Sequence, residues 1–325
     1  MTLTAAMSLA FILMLQAQVK PGIDVLAERD FEVLAGKRVG LVTNPTGVNS
    51  RLESTIDVLH RHVDLVALFG PEHGVRGDVA AGGHVEDMVD ERTGIPVYSL
   101  YGRQRKPDAR QLEGLDVLVY DIQDIGARSY TYISTMGLVM EAAAEADLEV
   151  VILDRPNPLG GHKVEGPLVE EGYFSFVSQY PIPYIYGLTC GELAMLLNQE
   201  GLLSGGVQCR LHVVPMKGWT RDMIFEDTGL QWIPTSPHIP YASTAFLYPA
   251  TGIIGELDPG MIGIGYTLPF QVMVTEYMDA ADLAGAMNAL GLPGLAFRPI
   301  HIKPYYSSSK GTSLQGVQIH LTNPR

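Results

Sequence analysis

The feature that most constrains the fold is a repeated alternation of short apolar runs with amphipathic segments. Each apolar run ends directly in polar or glycine-rich residues, as a strand buried within a parallel sheet does. The segments between the runs have the length and spacing of crossover helices. The predicted strands are 38–43, 65–69, 96–100, 116–120 and 149–153. The first half of the chain is therefore predicted to be α/β, with a Rossmann-like, doubly wound and mostly parallel sheet.

Helices are predicted in this half at 22–34, 51–63 and 131–146. The second of them has apolar residues at helical spacing from Leu52 onwards. Ser50, followed three residues later by Glu53, fits a capping box at its start.

After residue 160 the chain becomes rich in glycine and proline, which predicts a long connection. A second, smaller α+β domain is predicted beyond it. Thr189 and Glu192 fit a capping box at the start of a helix over 188–202. The other predicted elements are strands at 211–214, 268–275 and 317–321 and a helix at 280–290.

The predicted domain boundaries are 1–20 for a signal peptide, 21–165 for the Rossmann-like domain and 166–325 for the smaller domain. Residues 5–17 resemble the apolar core of a secretory signal with cleavage after Ala17, and they are too short to span a bilayer. Because residues 1–4 carry no positive charge, an alternative start codon or a buried amphipathic helix stays open. The chain stops directly after an apparent strand, so the smaller domain is expected to be C-terminally incomplete.

Composition and charge narrow the function. With 46% hydrophobic and 18% charged residues, the 325-residue chain is typical of a globular protein with a sizeable core. The formal net charge of −14, without any Lys/Arg run, argues against nucleic acid as a partner. We expect a periplasmic or secreted protein that contacts no membrane beyond export. The oligomeric state is not indicated.

No cofactor is predicted. The turn after the first strand, 44–48, lacks the G-x-G-x-x-G pattern of dinucleotide sites, and no phosphate-binding loop is present. A G-x-S-x-G nucleophile elbow is also missing. No metal site is predicted, because histidines are not clustered: His60 and His62 lie two residues apart and cannot share a helical face.

Polar side chains follow the predicted strands at the point where each strand ends. In a parallel sheet these ends meet at one edge, where ligands bind in open α/β folds. The residues expected to converge there are Asn44, Glu72, His73, Arg76, Asp121, Gln123, Asp124, Asp154, Arg155 and Asn157. The group around Glu72 lies between glycines directly after the strand 65–69. The alternative is a polar, glycine-rich turn whose charges face water.

Carboxylates beside arginine and histidine suit acid–base chemistry on a polar substrate such as a glycoside. Glycoside hydrolysis needs one carboxylic acid to protonate the leaving oxygen and a second group as base, nucleophile or support for a substrate acetamide. Glu72 is the candidate acid, because Pro71 and flanking apolar chain would desolvate it and favour its protonated form. Asp121, Asp124 and Asp154 are candidates for the second role.

Structural roles for these residues stay open. Asp121 and Asp124 would also cap the next helix and pair with Arg128. Asp154 and Arg155 would also form an ion pair with each other. His73 would also brace its loop.

Five ordered motifs resemble the NamZ-type exo-β-N-acetylmuramidases, bacterial peptidoglycan enzymes. The motifs are Gly-Pro-Glu-His-Gly-Val-Arg-Gly-Asp at 70–78, Pro-Val-Tyr-Ser-Leu-Tyr-Gly at 96–102, Asp-Ile-Gln-Asp-Ile-Gly-Ala-Arg-Ser-Tyr-Thr-Tyr at 121–132, Asp-Arg-Pro-Asn-Pro at 154–158 and Val-Glu-Gly-Pro at 164–167. The resemblance covers 22–324. It implies a Rossmann-like domain and a smaller domain, with a cleft between them that removes terminal N-acetylmuramic acid from cell-wall fragments. It places the suspected catalytic glutamate of the family at Glu72.

The resemblance extends the expected substrate site. Substrate-binding residues are predicted to be Asn44, His73, Arg76, Gln123, Arg128, Tyr130, Tyr132, Asp154, Arg155, Asn157 and Glu165. Arg76, Arg128 and Arg155 are expected to face the cleft, where a guanidinium binds a carboxylate through two hydrogen bonds.

The segment 255–266 departs from the family pattern. Many relatives carry Gly-Thr-Asn and Gly-Arg-Gly-Thr elements after Tyr248-Pro249, and this segment contains neither Asn nor Arg. If the relatives' arginine binds the lactyl carboxylate of muramic acid, this chain must use another cation or another sugar. The alternatives are therefore a glycosidase for a related amino sugar and a non-catalytic cell-wall glycan-binding protein.

Overall fold

The computed structural model describes residues 18–77, 87–257, 260–306 and 309–325. The predicted signal peptide lies outside these ranges apart from residues 18–20. Those residues belong to the fold: Val19 is fully buried, and its N–H donates to the carbonyl of Thr228 at 2.9 Å. The boundary predicted at residue 20 stays a prediction. Cleavage after Ala17 stays a prediction.

The larger sheet contains seven strands. They are β1 (Arg38–Thr43), β2 (Asp64–Gly70), β3 (Met88–Val89), β4 (Pro96–Ser99), β5 (Val117–Asp121), β6 (Glu149–Leu153) and β7 (Arg210–Val214). Their order is β3-β4-β2-β1-β5-β6-β7. Every neighbouring pair is parallel except β3 with β4 at the edge. The predicted mostly parallel sheet is confirmed.

Helices cover both faces of this sheet, so its central strands are buried on both sides. The helices are α1 (Gly22–Glu28), α2 (Thr55–His62), α3 (Ala109–Leu112), α4 (Tyr132–Glu145) and α5 (Cys190–Gln199). In β5, Val117 and Val119 belong to the core with α1 and α2, whereas Leu118 and Tyr120 belong to the core with α4 and α5. This alternation matches the doubly wound architecture.

The smaller domain contains an antiparallel sheet of three strands in the order β8-β10-β9. Its elements are α6 (Thr244–Glu256), β8 (Val272–Thr275), α7 (Ala280–Ala289), β9 (Leu295–Ile302) and β10 (Leu314–Leu321). Helix α6 and strand β9 were not predicted, because each contains a proline. Pro299 is tolerated in β9 because that strand lies at the sheet edge.

The domain boundary predicted at residue 165 is wrong for the sheet. Helix α5 and strand β7, which were placed in the smaller domain, complete the larger one, with β7 parallel to β6. The capping box predicted at Thr189 and Glu192 is confirmed at the start of α5. This capping box therefore begins a crossover helix of the large sheet.

One predicted helix end and one predicted helix start were also wrong. The helix predicted over 22–34 is broken after α1, because Asp30 and Phe31 adopt left-handed backbone with φ of 50° and 56°. Ser50 does not cap α2, which begins at Thr55. Instead, the Asn49 carboxamide oxygen accepts the N–H groups of Arg51 and Glu53 at 2.9 Å, and this turn delays the helix.

Across the ranges that the structure describes, no helix has the length and apolar character needed to cross a bilayer. Within the same ranges, no three His, Cys, Asp or Glu side chains are grouped as metal ligands would be.

Candidate active site

Glu72 lies at the carboxyl edge of the large sheet, in a turn that follows β2. The turn is closed by a hydrogen bond from Gly74 N–H to the Pro71 carbonyl at 3.0 Å, and His73 adopts left-handed backbone with φ of 75°. The half-buried Glu72 carboxylate accepts a hydrogen bond from Thr131 Oγ1 at 3.3 Å. The Tyr101 phenol also hydrogen-bonds to it. Glu72 is therefore held by two hydroxyl groups from different loops.

Asn44 and Tyr132 lie beside this carboxylate. Asn44 is 3% exposed, and its carboxamide oxygen accepts the N–H of Thr46 at 2.9 Å, which fixes the orientation of the amide. Its amide nitrogen is buried without a hydrogen-bond partner. Burial holds the pKa of Tyr132 well above its ordinary value, and the nearby Glu72 charge adds to this effect. Tyr132 thus remains a neutral donor, which it directs to the Thr235 carbonyl at 2.5 Å.

The smaller domain and its connection reach the Glu72 turn from the opposite side. His238 Nε2 lies 2.9 Å from the hydroxyl of Tyr306, which follows β9. Burial lowers the pKa of His238, and its electrostatic interaction with His73 lowers it further. His238 is therefore close to the Glu72 turn. Glu72 with Thr131 and Tyr101 at the sheet edge, together with the neighbouring His238, is called the candidate cleft below.

Asp121 does not reach this cleft. It is fully buried, and its two carboxylate oxygens accept hydrogen bonds from Arg155 Nε at 2.5 Å and Nη2 at 2.9 Å. Thr55 Oγ1, at the start of α2, is also hydrogen-bonded to it. The structure therefore makes Asp121 and Arg155 a buried ion pair that ties β5 to the loop after β6. Both side chains were expected from sequence to meet a substrate, whereas the structure pairs them with each other.

Asp154 and its neighbours also fix loops. Asp154 accepts from Thr189 Oγ1 at 2.9 Å and from Gly191 N–H at 2.8 Å, and so joins the loop after β6 to the start of α5. Gln123 donates to the carbonyls of Asp124 and Pro156 at 2.8 and 2.7 Å. Asn157 donates to the Leu188 carbonyl at 3.0 Å. Buried backbone groups in loops need such partners, so these side chains hold the sheet edge in place.

Asp124 is buried in the same layer, 3% exposed. One carboxylate oxygen accepts from the Tyr186 hydroxyl and from Gly126 N–H at 2.7 Å, and the other has no partner. Burial raises the pKa of Asp124 to about 6, although these hydrogen bonds oppose the rise. Asp124 therefore lies below the cleft surface as a carboxyl that readily takes up a proton.

This pKa predicts a pH-dependent stability. The ordinary pKa of an aspartate, which applies to Asp124 in the unfolded chain, is 3.8. Between pH 3.8 and about 6, Asp124 is therefore more fully protonated in the folded protein than in the unfolded chain. Stability should then fall as pH rises from about 4 to about 6. Because Asp124→Asn cannot ionise, Tm measured by calorimetry across this range should fall less for the variant than for the wild type. Parallel profiles would remove Asp124 as the source. Burial also raises the pKa of Asp154 to about 6. Because Asp154 is present in both proteins, it contributes equally to the two Tm profiles.

The remaining arginines of the predicted site are engaged elsewhere. Arg76 binds Asp90 through Nε and Nη2, both at 2.9 Å. Arg128 donates to the carbonyls of Pro167 and Ile182 and so anchors the long connection. With Arg155 paired to Asp121, all three arginines expected to bind a carboxylate in the cleft have other partners.

The other predicted substrate residues are distributed unevenly. His73 is buried in the Glu72 turn. Tyr130 is packed edge-on against Tyr132, with ring centroids 5.0 Å apart, and its hydroxyl donates to Thr235 Oγ1 at 2.8 Å. Glu165 is exposed, and its backbone pairs with Ile185. The sequence patterns did not single out Tyr101, Thr131 or His238 as candidate site residues. Tyr101 could have been found, because it follows a predicted strand end.

A cavity of about 840 Å³ lies between α6 and the small sheet. Ser129 lines it, whereas Thr131 in the same segment contacts Glu72 on the cleft side. The divergent segment 255–266 contributes Gly255, Met261 and Ile262 to this cavity. Residues of the segment that departs from the family pattern therefore line this cavity.

Comparison with known proteins identifies the family of the chain. The family models for the N-terminal and C-terminal domains of exo-β-N-acetylmuramidase NamZ match residues 39–243 and 246–325. The chain belongs to the NamZ family. The junction between the two models coincides with the start of α6, which supports a boundary there rather than near residue 165. The resemblance stated from the motifs is confirmed.

Individual relatives support the assignment. The chain is 46% identical over 308 residues to the peptidoglycan β-N-acetylmuramidase NamZ of Bacillus subtilis (strain 168), covering 94% of this chain and 73% of that protein. A crystal structure of a DUF1343 family protein from Bacteroides fragilis NCTC 9343 is similar with a TM-score of 0.90 and 59% identity, covering 94% of this chain and 78% of the other. The crystal structure of a second DUF1343 family protein from that organism is similar with a TM-score of 0.78 and 32% identity. This match covers 94% of this chain and 77% of the other.

Proposed function

We propose that this chain is an exo-acting glycoside hydrolase that releases terminal N-acetylmuramic acid from peptidoglycan fragments. Membership of the NamZ family supports the reaction and the substrate class. The observation that best supports the site is the position of the Glu72 carboxylate, which is half-buried at the sheet edge and hydrogen-bonded to Thr131 and Tyr101.

In this proposal Glu72 is the general acid. Its carboxylic proton moves to the glycosidic oxygen as the bond between that oxygen and the anomeric carbon breaks. Water then adds to the anomeric carbon and releases one proton, which restores the acid form. The Thr131 hydroxyl and the Tyr101 phenol orient the carboxyl group.

The second catalytic group is not Asp121 in this proposal. It is fully buried and both of its oxygens accept hydrogen bonds from Arg155, so it is out of reach of a sugar at the cleft. Asp124 and Asp154 lie in the buried layer below the cleft and bond to loop groups. We assign these three carboxyl groups to positioning the sheet edge.

The test is hydrolysis of a chromogenic N-acetyl-β-muramide and, separately, of the matching N-acetylglucosaminide by the purified chain. We expect release from the muramide and much slower release from the glucosaminide. Preference for the glucosaminide would indicate a glycosidase for a related amino sugar. No release from either, with measurable binding of cell-wall fragments, would indicate a non-catalytic glycan-binding protein.

We also propose that the protein is exported to the periplasm or the exterior, because residues 5–17 have the composition of a signal peptide core. Cleavage after Ala17 would leave the buried Val19 in the fold. N-terminal sequencing of the protein isolated from the producing cell tests this cleavage. A mature protein that begins at Met1 would contradict it.

A further inference from the structure

The cavity between α6 and the small sheet has the size and the lining of a small-molecule site. Its volume of about 840 Å³ lies within the range of about 300–1,000 Å³ that such sites have. The rings of Tyr248 and Phe270 line it and meet edge-to-face, with their centroids 4.9 Å apart. Met261 and Ile262 add aliphatic surface. A ligand with an apolar face therefore finds aromatic and aliphatic partners here.

Three hydroxyl groups meet at the wall of this cavity, and they are called the hydroxyl cluster below. Ser129 Oγ lies 2.9 Å from the Tyr184 hydroxyl and 3.3 Å from the Tyr248 hydroxyl, and all three residues line the cavity. Each hydroxyl has one proton and two acceptor lone pairs. The two bonds within the cluster use two of the three protons, so the cluster suits the hydroxyl and amide groups of a ligand.

The charge of the lining decides between the two sugars of peptidoglycan. Glu256 and Glu276 are the only charged side chains among the described residues that line the cavity. Two carboxylates repel an anion that comes close to them. N-acetylmuramic acid carries a lactyl carboxylate, whereas N-acetylglucosamine is neutral and offers hydroxyls, an acetamide and an apolar ring face. Charge complementarity therefore favours N-acetylglucosamine.

One short segment of chain joins this cavity to Glu72. Ser129 lines the cavity, and Thr131 donates to the Glu72 carboxylate at 3.3 Å. Two residues of chain span at most about 7 Å. Between them, the Tyr130 ring packs against Tyr248 in the cavity wall, with centroids 5.7 Å apart. The cavity is therefore adjacent to the proposed acid.

We propose that this cavity is the subsite for the neutral N-acetylglucosamine on the leaving-group side of the scissile bond. The inference rests on the proposed function, because it names where the second sugar of the same substrate binds. The ring face of this sugar packs on Tyr248 and Phe270, and its polar groups bond to the hydroxyl cluster. The muramic acid, with its carboxylate, stays in the candidate cleft.

Gly252 gives a way to fill the cavity without disturbing the fold. It lies in α6 and lines the cavity, and a Cβ there meets Tyr248 and Phe270 at 3.8 and 3.9 Å, which are ordinary van der Waals distances. Leucine is also a better helix former than glycine. Gly252→Leu should lower kcat/KM for the natural disaccharide of N-acetylmuramic acid and N-acetylglucosamine at least about tenfold. N-acetyl-β-muramyl fluoride, whose leaving group is a single atom, should stay within about twofold of the wild type.

Gly285→Leu is the matched control. Gly285 lies in α7 of the same domain, where a Cβ meets no described heavy atom within 4 Å, so both substrates should react as with the wild type. Tyr248→Phe is a second test variant, because it keeps the ring and removes one hydroxyl of the cluster. It should lower kcat/KM for the disaccharide alone, by about 3- to 10-fold.

A loss on neither substrate, or an equal loss on the disaccharide and the fluoride, in Gly252→Leu and Tyr248→Phe would overturn the subsite. If the wild type hydrolyses neither substrate, the proposed function fails. Binding of free N-acetylglucosamine, followed by ligand-observed NMR, then still decides the inference. Gly252→Leu should bind the sugar at least about tenfold more weakly than the wild type and Gly285→Leu. Equal affinity, or no binding to the wild type, would overturn the subsite.

Discussion

Replacement of Glu72 by glutamine is expected to lower kcat/KM on a natural disaccharide by about 10²- to 10⁴-fold, the usual contribution of general acid catalysis. The amide keeps the shape of the side chain and an acceptor for Thr131 Oγ1, but it cannot donate a carboxylic proton. With a 4-nitrophenyl leaving group the loss should be much smaller, because that group departs with little protonation. Steady-state kinetics on both substrates would measure the difference.

The control for this variant is Glu91→Gln, which changes an exposed glutamate elsewhere on the same domain and should leave both rates unchanged. Tm of both variants should stay close to that of the wild type, since Glu72 is only half-buried. An unaltered rate of Glu72→Gln on the disaccharide would remove Glu72 from the acid role. An equal loss on both substrates would point to binding rather than proton donation.

The second large effect is expected on stability, from Asp121→Ala. The substitution leaves the Arg155 guanidinium, 5% exposed, without its carboxylate. Removing one partner of a buried ion pair typically costs about 3–5 kcal/mol, because the remaining charge is buried and uncompensated. Urea unfolding followed by circular dichroism should show a fall of this size in the free energy of unfolding.

The matched control is Glu145→Ala, which removes the partner of Lys106 from an exposed surface pair whose atoms are 2.6 Å apart, at a helical position that tolerates alanine. Exposed pairs contribute about 0–1 kcal/mol, so this variant should unfold almost as the wild type does. A loss for Asp121→Ala no larger than that of the control would contradict the buried ion pair. Folded Asp121→Asn that loses turnover without losing stability would instead return Asp121 to a catalytic role.

Proline and glycine limited what local patterns could predict in the smaller domain. Pro249 lies inside α6, where sequence rules disfavour a helix, and Pro299 lies in the edge strand β9. Packing of Ala245 and Leu247 into the core beside Ile239 and Phe270 outweighs that local preference. Propensity is a weak guide where tertiary contacts of this kind decide the element.

Local patterns along the chain predicted the parallel sheet and the edge where the candidate site lies. Apolar periodicity is a local property, and the rule that parallel strands end at one edge brings Asn44 and Glu72 together without further information. It also placed Asp121 and Arg155 at that edge, 34 residues apart in the chain. The folded structure was needed to show that these two neutralise each other in the core and that Arg76 binds Asp90. The physical reason is that charge pairing depends on distances of a few ångströms between distant segments, and no periodicity along the chain encodes them.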